Sequence, residues 1–498
     1  MKSPSRVWII GPLILLGGCT VGPDYHAPKT DVPGSYAATQ PAAAEPLTQW
    51  WETFHDPELN DLIARAVASN LDLRVAEQRV IEARAQRDIT FGNLFPTANL
   101  GGGYTKTAIS KSAGIAAVAG GGSQQSGVVT PNLAHRSATS GGGSSGGITF
   151  PPTLELYEAG FDASWEIDVF GGLRRSVEAA NADIGAQEES RRDTLVTLLG
   201  DVARNYIDVR GLQRQIRIAN DNIRSQDSTL DLTRTRFKAG VATELDVDRA
   251  DAQVNTTAAT VPTLQISLTQ SVHRLGVLLG EPPESLLAEL SAEAPIPPTP
   301  PSVPVGLPSD LLRRRPDVRQ AERQLAAANA RIGVATAQLF PRFSLTGALG
   351  LESQEFKDIA RGDSLFWSIG PSVSWPILDA GKIRANIRVQ NAREQEALAQ
   401  YQQTVLTSLE DVENALTAYQ QEQLRRDSLA RAAEANRRAV DLSTLLYTKG
   451  LANFLDVLDA QRDLFASQDE LAESEQTVSA DLVALYKALG GGWEDTAK

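Results

Sequence analysis

The chain has 498 residues, 42% of them apolar, but only 6% are aromatic and one is Met. Its long stretches of Ala, Gln, Arg, Glu and Leu have the composition of extended helices rather than of a compact enzyme. A formal charge of −14 and no Lys/Arg run longer than Arg313 to Arg315 exclude nucleic acid as a partner, while one Cys and four His exclude a disulfide framework, a thiolate metal cluster and a His-rich metal site.

Lys2 and Arg6 precede the apolar run Val7 to Leu16, which ends in Leu16-Gly17-Gly18-Cys19. This is the plan of a cleaved export signal over residues 1–18. About ten apolar residues are too few for a bilayer, which needs roughly twenty. Leu-Gly-Gly-Cys resembles the lipobox of bacterial lipoproteins, in which the thiol takes a diacylglyceryl group. Cys19 is then the first residue of a lipidated segment over 19–54, and the covalent lipid at Cys19 is the only non-protein group expected, with no cofactor and no metal. Several acyl chains give lasting anchorage where one does not.

The rest of the chain repeats itself. Asn93-Leu94-Phe95-Pro96 recurs as Gln338-Leu339-Phe340-Pro341 at a spacing of 245. Trp165 matches Trp375, Gly240 matches Gly450, and Leu245-Asp246-Val247 matches Leu455-Asp456-Val457 at a spacing of 210. The chain is therefore a tandem duplication, residues 55–280 and 309–489, joined by a Pro-rich linker over 281–308 and ending in a tail over 490–498. The first copy holds about 35 extra residues, which fall in the Gly/Ser-rich segment from about Thr107 to Phe150, a composition that reads as a flexible loop.

Strands flank that segment. In Tyr157, Ala159, Phe161, Ala163, Trp165 and Ile167 every second residue is apolar or small, and Glu158, Asp162, Ser164 and Glu166 take the other face. Residues 343–351 and 365–377 alternate in the same way, and a weaker strand runs over 97–105. Strands of about ten residues with one apolar face have the length and period of a transmembrane β-barrel wall, and export with lipidation favours that reading over a sheet packed on helices. Four strands cannot close in lipid. Two chains give an eight-stranded barrel filled by its own side chains, whereas three give twelve strands and a polar lumen, so a trimer is expected.

Each copy then becomes helical. Residues 172–238 lack Pro, and 382–448 lack both Pro and Gly. At 1.5 Å per residue each run is roughly 100 Å long. Leu195, Leu198, Val202, Tyr206 and Val209, and likewise Tyr401, Val405, Val412 and Tyr419, follow a period near 3.5, the mark of left-handed coiled-coil packing. A second stripe, Val196, Leu199, Ala203 and Ile207, predicts neighbours on both sides. Tight turns over 239–243 and 449–453 lead into return helices ending near Gly280 and Gly490. Gly240 and Gly450 are the expected left-handed caps, and Asp246 and Asp456 settle the new helix starts. Under threefold symmetry Asp246, Asp456 and Asp459 form a belt of about nine carboxylates at one end of a pore, a means of favouring cations or gating.

The lipobox followed by Val21-Gly22-Pro23-Asp24-Tyr25, the Trp50-Trp51-Glu52-Thr53-Phe54-His55-Asp56 stretch, Leu307-Pro308-Ser309-Asp310, Arg315-Pro316-Asp317, the duplicated elements and Ala488-Leu489-Gly490-Gly491-Gly492-Trp493 resemble the lipid-anchored, OprM-like (NodT-type) branch of the TolC family. The resemblance spans nearly the whole mature chain. It implies a mostly helical α+β fold forming a homotrimer, with a twelve-stranded barrel in the bacterial outer membrane, an α-helical barrel across the periplasm and a mixed belt around its middle. It also implies an efflux exit duct working with a periplasmic adaptor and an inner-membrane transporter of the RND type. A type I secretion duct and a non-conducting envelope lipoprotein are the alternatives. On the family pattern Asp246, Asp456, Asp459 and Tyr447 line or latch the periplasmic aperture. Some members tie the aperture with an Arg where this chain has Ala452, and Arg249 is the candidate substitute. Arg313 to Arg315 with Asp317 read as helix-start and interface residues. Asn222 and its polar neighbours read as helix surface, and no nucleophile elbow, phosphate loop or metal-ligand spacing supports catalysis.

Overall fold

A computed structural model of the chain describes residues 20–36, 48–108, 153–303, 305–306 and 308–493. The export signal, Cys19 and most of the Gly/Ser-rich segment lie outside the described residues. Two compact units are formed: one from Met1–Tyr25, Ala85–Asn181 and Ala327–Arg393, the other from His26–Arg84, Ala182–Ala326 and Glu394–Lys498.

In the first unit four strands, β1 (Thr97–Ala108), β2 (Thr153–Ile167), β3 (Arg342–Ser353) and β4 (Leu365–Ser374), form an antiparallel sheet in the order β1-β2-β3-β4. Leu100, Phe161, Leu349 and Trp367 stand opposite one another along one row of the ladder, and all four are exposed, Trp367 at 72%. The next rows of that face hold Ala98, Ala163, Gly347 and Ile369, and then Trp165, Leu345 and Pro371. Towards one end Tyr104 packs on Tyr157 at 4.8 Å and Tyr157 on Phe356 at 5.6 Å, and beyond them Lys106 meets Glu155 at 2.6 Å. From Tyr157 to Trp165 is roughly 26 Å of strand. That matches an apolar band of about 25 Å between two aromatic girdles. The opposite face is polar: Asn99 donates to Asp162 at 3.0 Å, and the Ser344 and Ser372 hydroxyls are bonded at 2.7 Å.

Strand β4 stops at Ser374 rather than continuing to 377, as Pro376 has no N–H for the ladder. Pro371 is tolerated inside β4 because that strand is an edge of the sheet. Gly101, Gly102 and Gly103 lie within β1, as expected.

The second unit is built on helices α1 (Pro57–Ser69) and α2 (Leu71–Gly92), the 67-residue α3 (Gly172–Lys238) and α8 (Lys382–Thr448), whose outer turns belong to the first unit, and the returns α4 (Glu244–Ala258), α5 (Thr260–Leu278) and α9 (Phe454–Ala488). Both stripes of α3 are buried, Leu195, Val202, Tyr206 and Val209 on one and Leu199, Ala203 and Ile207 on the other. The first return is not one helix as expected: it breaks at Ala259, because Pro262 offers no N–H and its ring crowds the carbonyl four residues back. A Cβ on Gly211 would overlap the side chain of Gln476, whose amide donates to Asp208 at 2.7 Å, so α9 lies close against α3 there.

The Trp50–Phe54 turn and the Pro-rich linker are strapped onto these helices. Trp50 is buried and stacks on Tyr486 at 5.4 Å. Arg210, 1% exposed, pairs with Glu58 and donates to Gln213 Oε1 at 2.8 Å and to the Ala292 carbonyl at 2.9 Å. The Tyr206 hydroxyl donates to Asp56 at 2.7 Å, and Asp56 in turn caps α1. A Pro-rich segment is poor in N–H groups but keeps its carbonyls, and side chains of the helices supply the donors. Gln213 reaches Leu290 O at 2.7 Å, Ser479 reaches Pro297 O at 3.3 Å, and Tyr419 donates to Pro300 O.

Two further helices, α6 (Pro308–Arg314) and α7 (Pro316–Ala337), follow the linker. Arg315 sits between them and binds Asp317 at 2.7 Å and Asp411 at 3.0 Å, which is the helix-start and interface role expected. Asn222, by contrast, is not surface: it is buried and donates to Gln468 at 2.9 Å across the α3–α9 seam. Its position one residue before Ile223 puts it beside the buried stripe, and an amide partner on the facing helix makes a polar side chain acceptable there.

Candidate functional site

The turns joining α3 to α4 and α8 to α9 share one backbone solution. Gly240 and Gly450 both have φ of 77°, where a side chain would be strained. Gly240 N–H bonds to Phe237 O and Val241 N–H to Arg236 O, each at 2.9 Å; Gly450 and Leu451 repeat this on Tyr447 and Leu446. These paired bonds are Schellman closures, which satisfy the last carbonyls of each long helix.

The acidic residues then start the return helices. The Asp246 carboxylate accepts from Thr243 N–H at 3.0 Å and Thr243 Oγ1 at 2.7 Å, and the Asp246 N–H returns a bond to Thr243 Oγ1. Asp456 accepts from Asn453 N–H at 3.0 Å. Each carboxylate thus satisfies a backbone donor and lies at the positive end of a helix dipole. Asp456 and Asp459 are exposed, and Asp246 is half-buried.

Tyr447 is 4% exposed and packs with Phe454, Leu230, Ala250, Val457 and Leu458. Its ring meets Phe454 edge-on at 5.7 Å. Arg236, in the last turn of α3, lies over the Tyr447 ring at 4.6 Å and donates to Thr448 O at 3.2 Å. One guanidinium from the first repeat therefore caps the C-terminal carbonyls of α8 and covers the aromatic cluster beneath. Sequence reasoning missed Arg236. Its signal was a basic residue in the last turn of a long helix; its partner, 212 positions on, was not readable. Arg249, the candidate substitute, is exposed.

Above this cluster a polar seam joins the helices. Gln461 donates to Thr229 at 2.8 Å, Arg462 to Gln253 Oε1 at 2.7 Å, and Arg234 meets Asp251 at 3.2 Å. A sheet with an exposed apolar band and, among the described residues, two unpaired edges, carried by a chain that continues into long helical hairpins closed by acidic turns, defines an outer-membrane channel of TolC-like fold. Residues 62–281 and 307–491 match the family of outer membrane efflux proteins. The chain is 34% identical to nodulation protein T of Rhizobium leguminosarum bv. viciae, covering 96% of this chain and 92% of that one. It is 32% identical to the antibiotic efflux pump outer membrane protein ArpC of Pseudomonas putida, covering 96% and 94%. Among solved structures it resembles the outer-membrane channel OprN, at 37% identity, a TM-score of 0.83, and coverage of 95% of this chain and 100% of that one. The chain belongs to the outer membrane efflux protein family, and its work is that of an efflux exit duct in the bacterial outer membrane.

Proposed function

We propose that three copies of the chain share one twelve-stranded barrel, which passively conducts small molecules from the periplasm to the exterior. The observation that carries this reading is the sheet: among the described residues both of its edges, β1 and β4, are unpaired, and an edge in lipid leaves backbone groups unsatisfied at several kcal/mol each. Pairing β4 of one copy with β1 of the next removes the edges, and three copies leave a lumen lined by the polar face.

The two hairpin turns form the periplasmic aperture. Asp246, Asp456 and Asp459 are its acidic ring, Gly240 and Gly450 set its shape, and Tyr447 with Arg236 holds the two turns of one copy together. An adaptor docking at the turns opens it, and an RND-type transporter in the inner membrane supplies the energy. Cys19, through its lipid, anchors the chain to the outer membrane. Planar-bilayer recording tests the reading: the assembled protein gives small cation-favouring steps that grow when Asp456 is changed to Ala. Purified assemblies that remain silent with Asp246, Asp456 and Asp459 all changed to Ala contradict it.

A further inference from the structure

The Val21-Gly22-Pro23-Asp24 stretch is not needed to build the sheet or the helices, yet it is bound to the first unit through a fitted groove. Val21 N–H donates to Phe170 O at 3.1 Å, just after β2 ends. Arg175, whose side chain is 4% exposed, donates through Nε to Val21 O at 3.2 Å and pairs through Nη2 with Asp24 at 2.6 Å, while Nη1 holds Glu178 at 2.8 Å. Three glycines make the room. Gly22 has φ of 94° and lies against the backbone of Gly333. A Cβ on Gly333 would come within 2.8 Å of Arg175 Cγ and 3.0 Å of Val21 O, and one on Gly171 within 2.9 Å of Thr20 Cα.

The buried guanidinium donates to two peptide carbonyls, Val21 O and, at 3.5 Å, Gly22 O, and to two carboxylates, Asp24 of the same stretch and Glu178 of its own helix, so it recognises a particular bent peptide, not a surface in general. We infer that Thr20–Asp24 is an intramolecular ligand of this groove and that Arg175 is the positioning residue that fixes it. Thr20 is one peptide unit, about 3.8 Å, from Cys19. The clamp therefore sets the place where the lipidated terminus meets the sheet: beside Phe170, at the end of β2 that carries Trp165. This last step rests on lipidation of Cys19; the clamp itself does not.

Hydrogen–deuterium exchange on the full-length, membrane-extracted protein tests it, with the mass of the N-terminal peptide read in the same experiment. In the parent the Val21 amide is protected. Arg175→Gln speeds exchange in the peptide 20–25 about tenfold or more, the loss of charge-assisted bonds, while amides of β2 and β3 keep their rates. Asp24→Asn leaves Arg175 in place and gives a smaller change in the same direction, which serves if Arg175→Gln fails to fold. An unprotected Val21 amide in the parent, or unchanged rates in both variants, overturns the clamp. A protected amide with no lipid mass on Cys19 overturns the anchor and leaves the clamp standing.

Discussion

Trp165 donates its indole N–H to the backbone carbonyl of Leu94 at 2.9 Å, and Trp375 donates in the same way to Leu339 at 3.0 Å. The two bonds are one clasp, present once per repeat. Each closes the corner where a helix gives way to a strand, and each joins the Leu-Phe-Pro motif to the Trp that recurs with it. An amphipathic ring at this level also suits the membrane–water boundary. Trp165→Phe keeps the ring and loses the bond. It is expected to lower stability by about 1 kcal/mol, and Trp165→Ala by about 3 kcal/mol or more, read from thermal unfolding of the assembled protein.

The Arg236 bridge gives a second expectation. Arg236→Ala frees the end of α8 and uncovers Tyr447, and single-channel conductance in planar bilayers rises. Tyr447→Ala, which leaves a cavity under Phe454, acts in the same direction and also lowers stability by about 3 kcal/mol. Tyr447→Phe is close to neutral, because the Tyr447 hydroxyl is buried with no hydrogen-bond partner among the described residues.

Arg210 is the node that ties Glu58, Gln213 and the Ala292 carbonyl together. Its removal strands the Glu58 carboxylate and the buried Gln213 Oε1 and leaves the Ala292 carbonyl only the longer bond from Gln213 Nε2, so Arg210→Ala is expected to cost about 3 kcal/mol or more. Limited proteolysis then cuts first in the linker over 281–303, which loses its strap.

Asp481, on α9, gives a pH dependence. Burial away from water, and then the neighbouring charge of Glu422, push its carboxyl up to about 6 from an ordinary 3.8, while Arg204 pulls it down. Between those values the folded chain keeps a proton that the unfolded chain has released. Stability therefore falls as pH rises through that window and levels off above it. Asp481→Asn removes this contribution. Its melting temperature is expected to exceed that of the parent near neutral pH, and the difference to shrink as the medium is acidified towards the ordinary carboxyl value.

Much of the fold was legible because it is periodic. The alternation in β2 and β3 is set by a two-residue repeat, and the bounds of α3 and α8 by runs without Pro ended by Gly240 and Gly450, signals that need no partner to be read. The break at Ala259 is legible too, through Pro262, which cannot continue a helix from within. Arg175, Arg210 and Arg236 were not legible. An Arg on a helix looks the same in sequence whether it faces water or grips a carbonyl, and the partners Val21, Ala292 and Thr448 offer only backbone oxygens, which no residue type reveals. At the turns the backbone followed from Gly and Asp, whereas the burial of Tyr447 depends on Phe454 and Leu230 arriving from two other helices.

The most direct test is the native mass of the detergent-extracted protein. The four strands of the described residues, with two open edges, cannot stand alone in a bilayer, so a particle of three chains, about three times the single-chain mass, is expected. A monodisperse single chain that retains its sheet would contradict the shared barrel and the duct built on it.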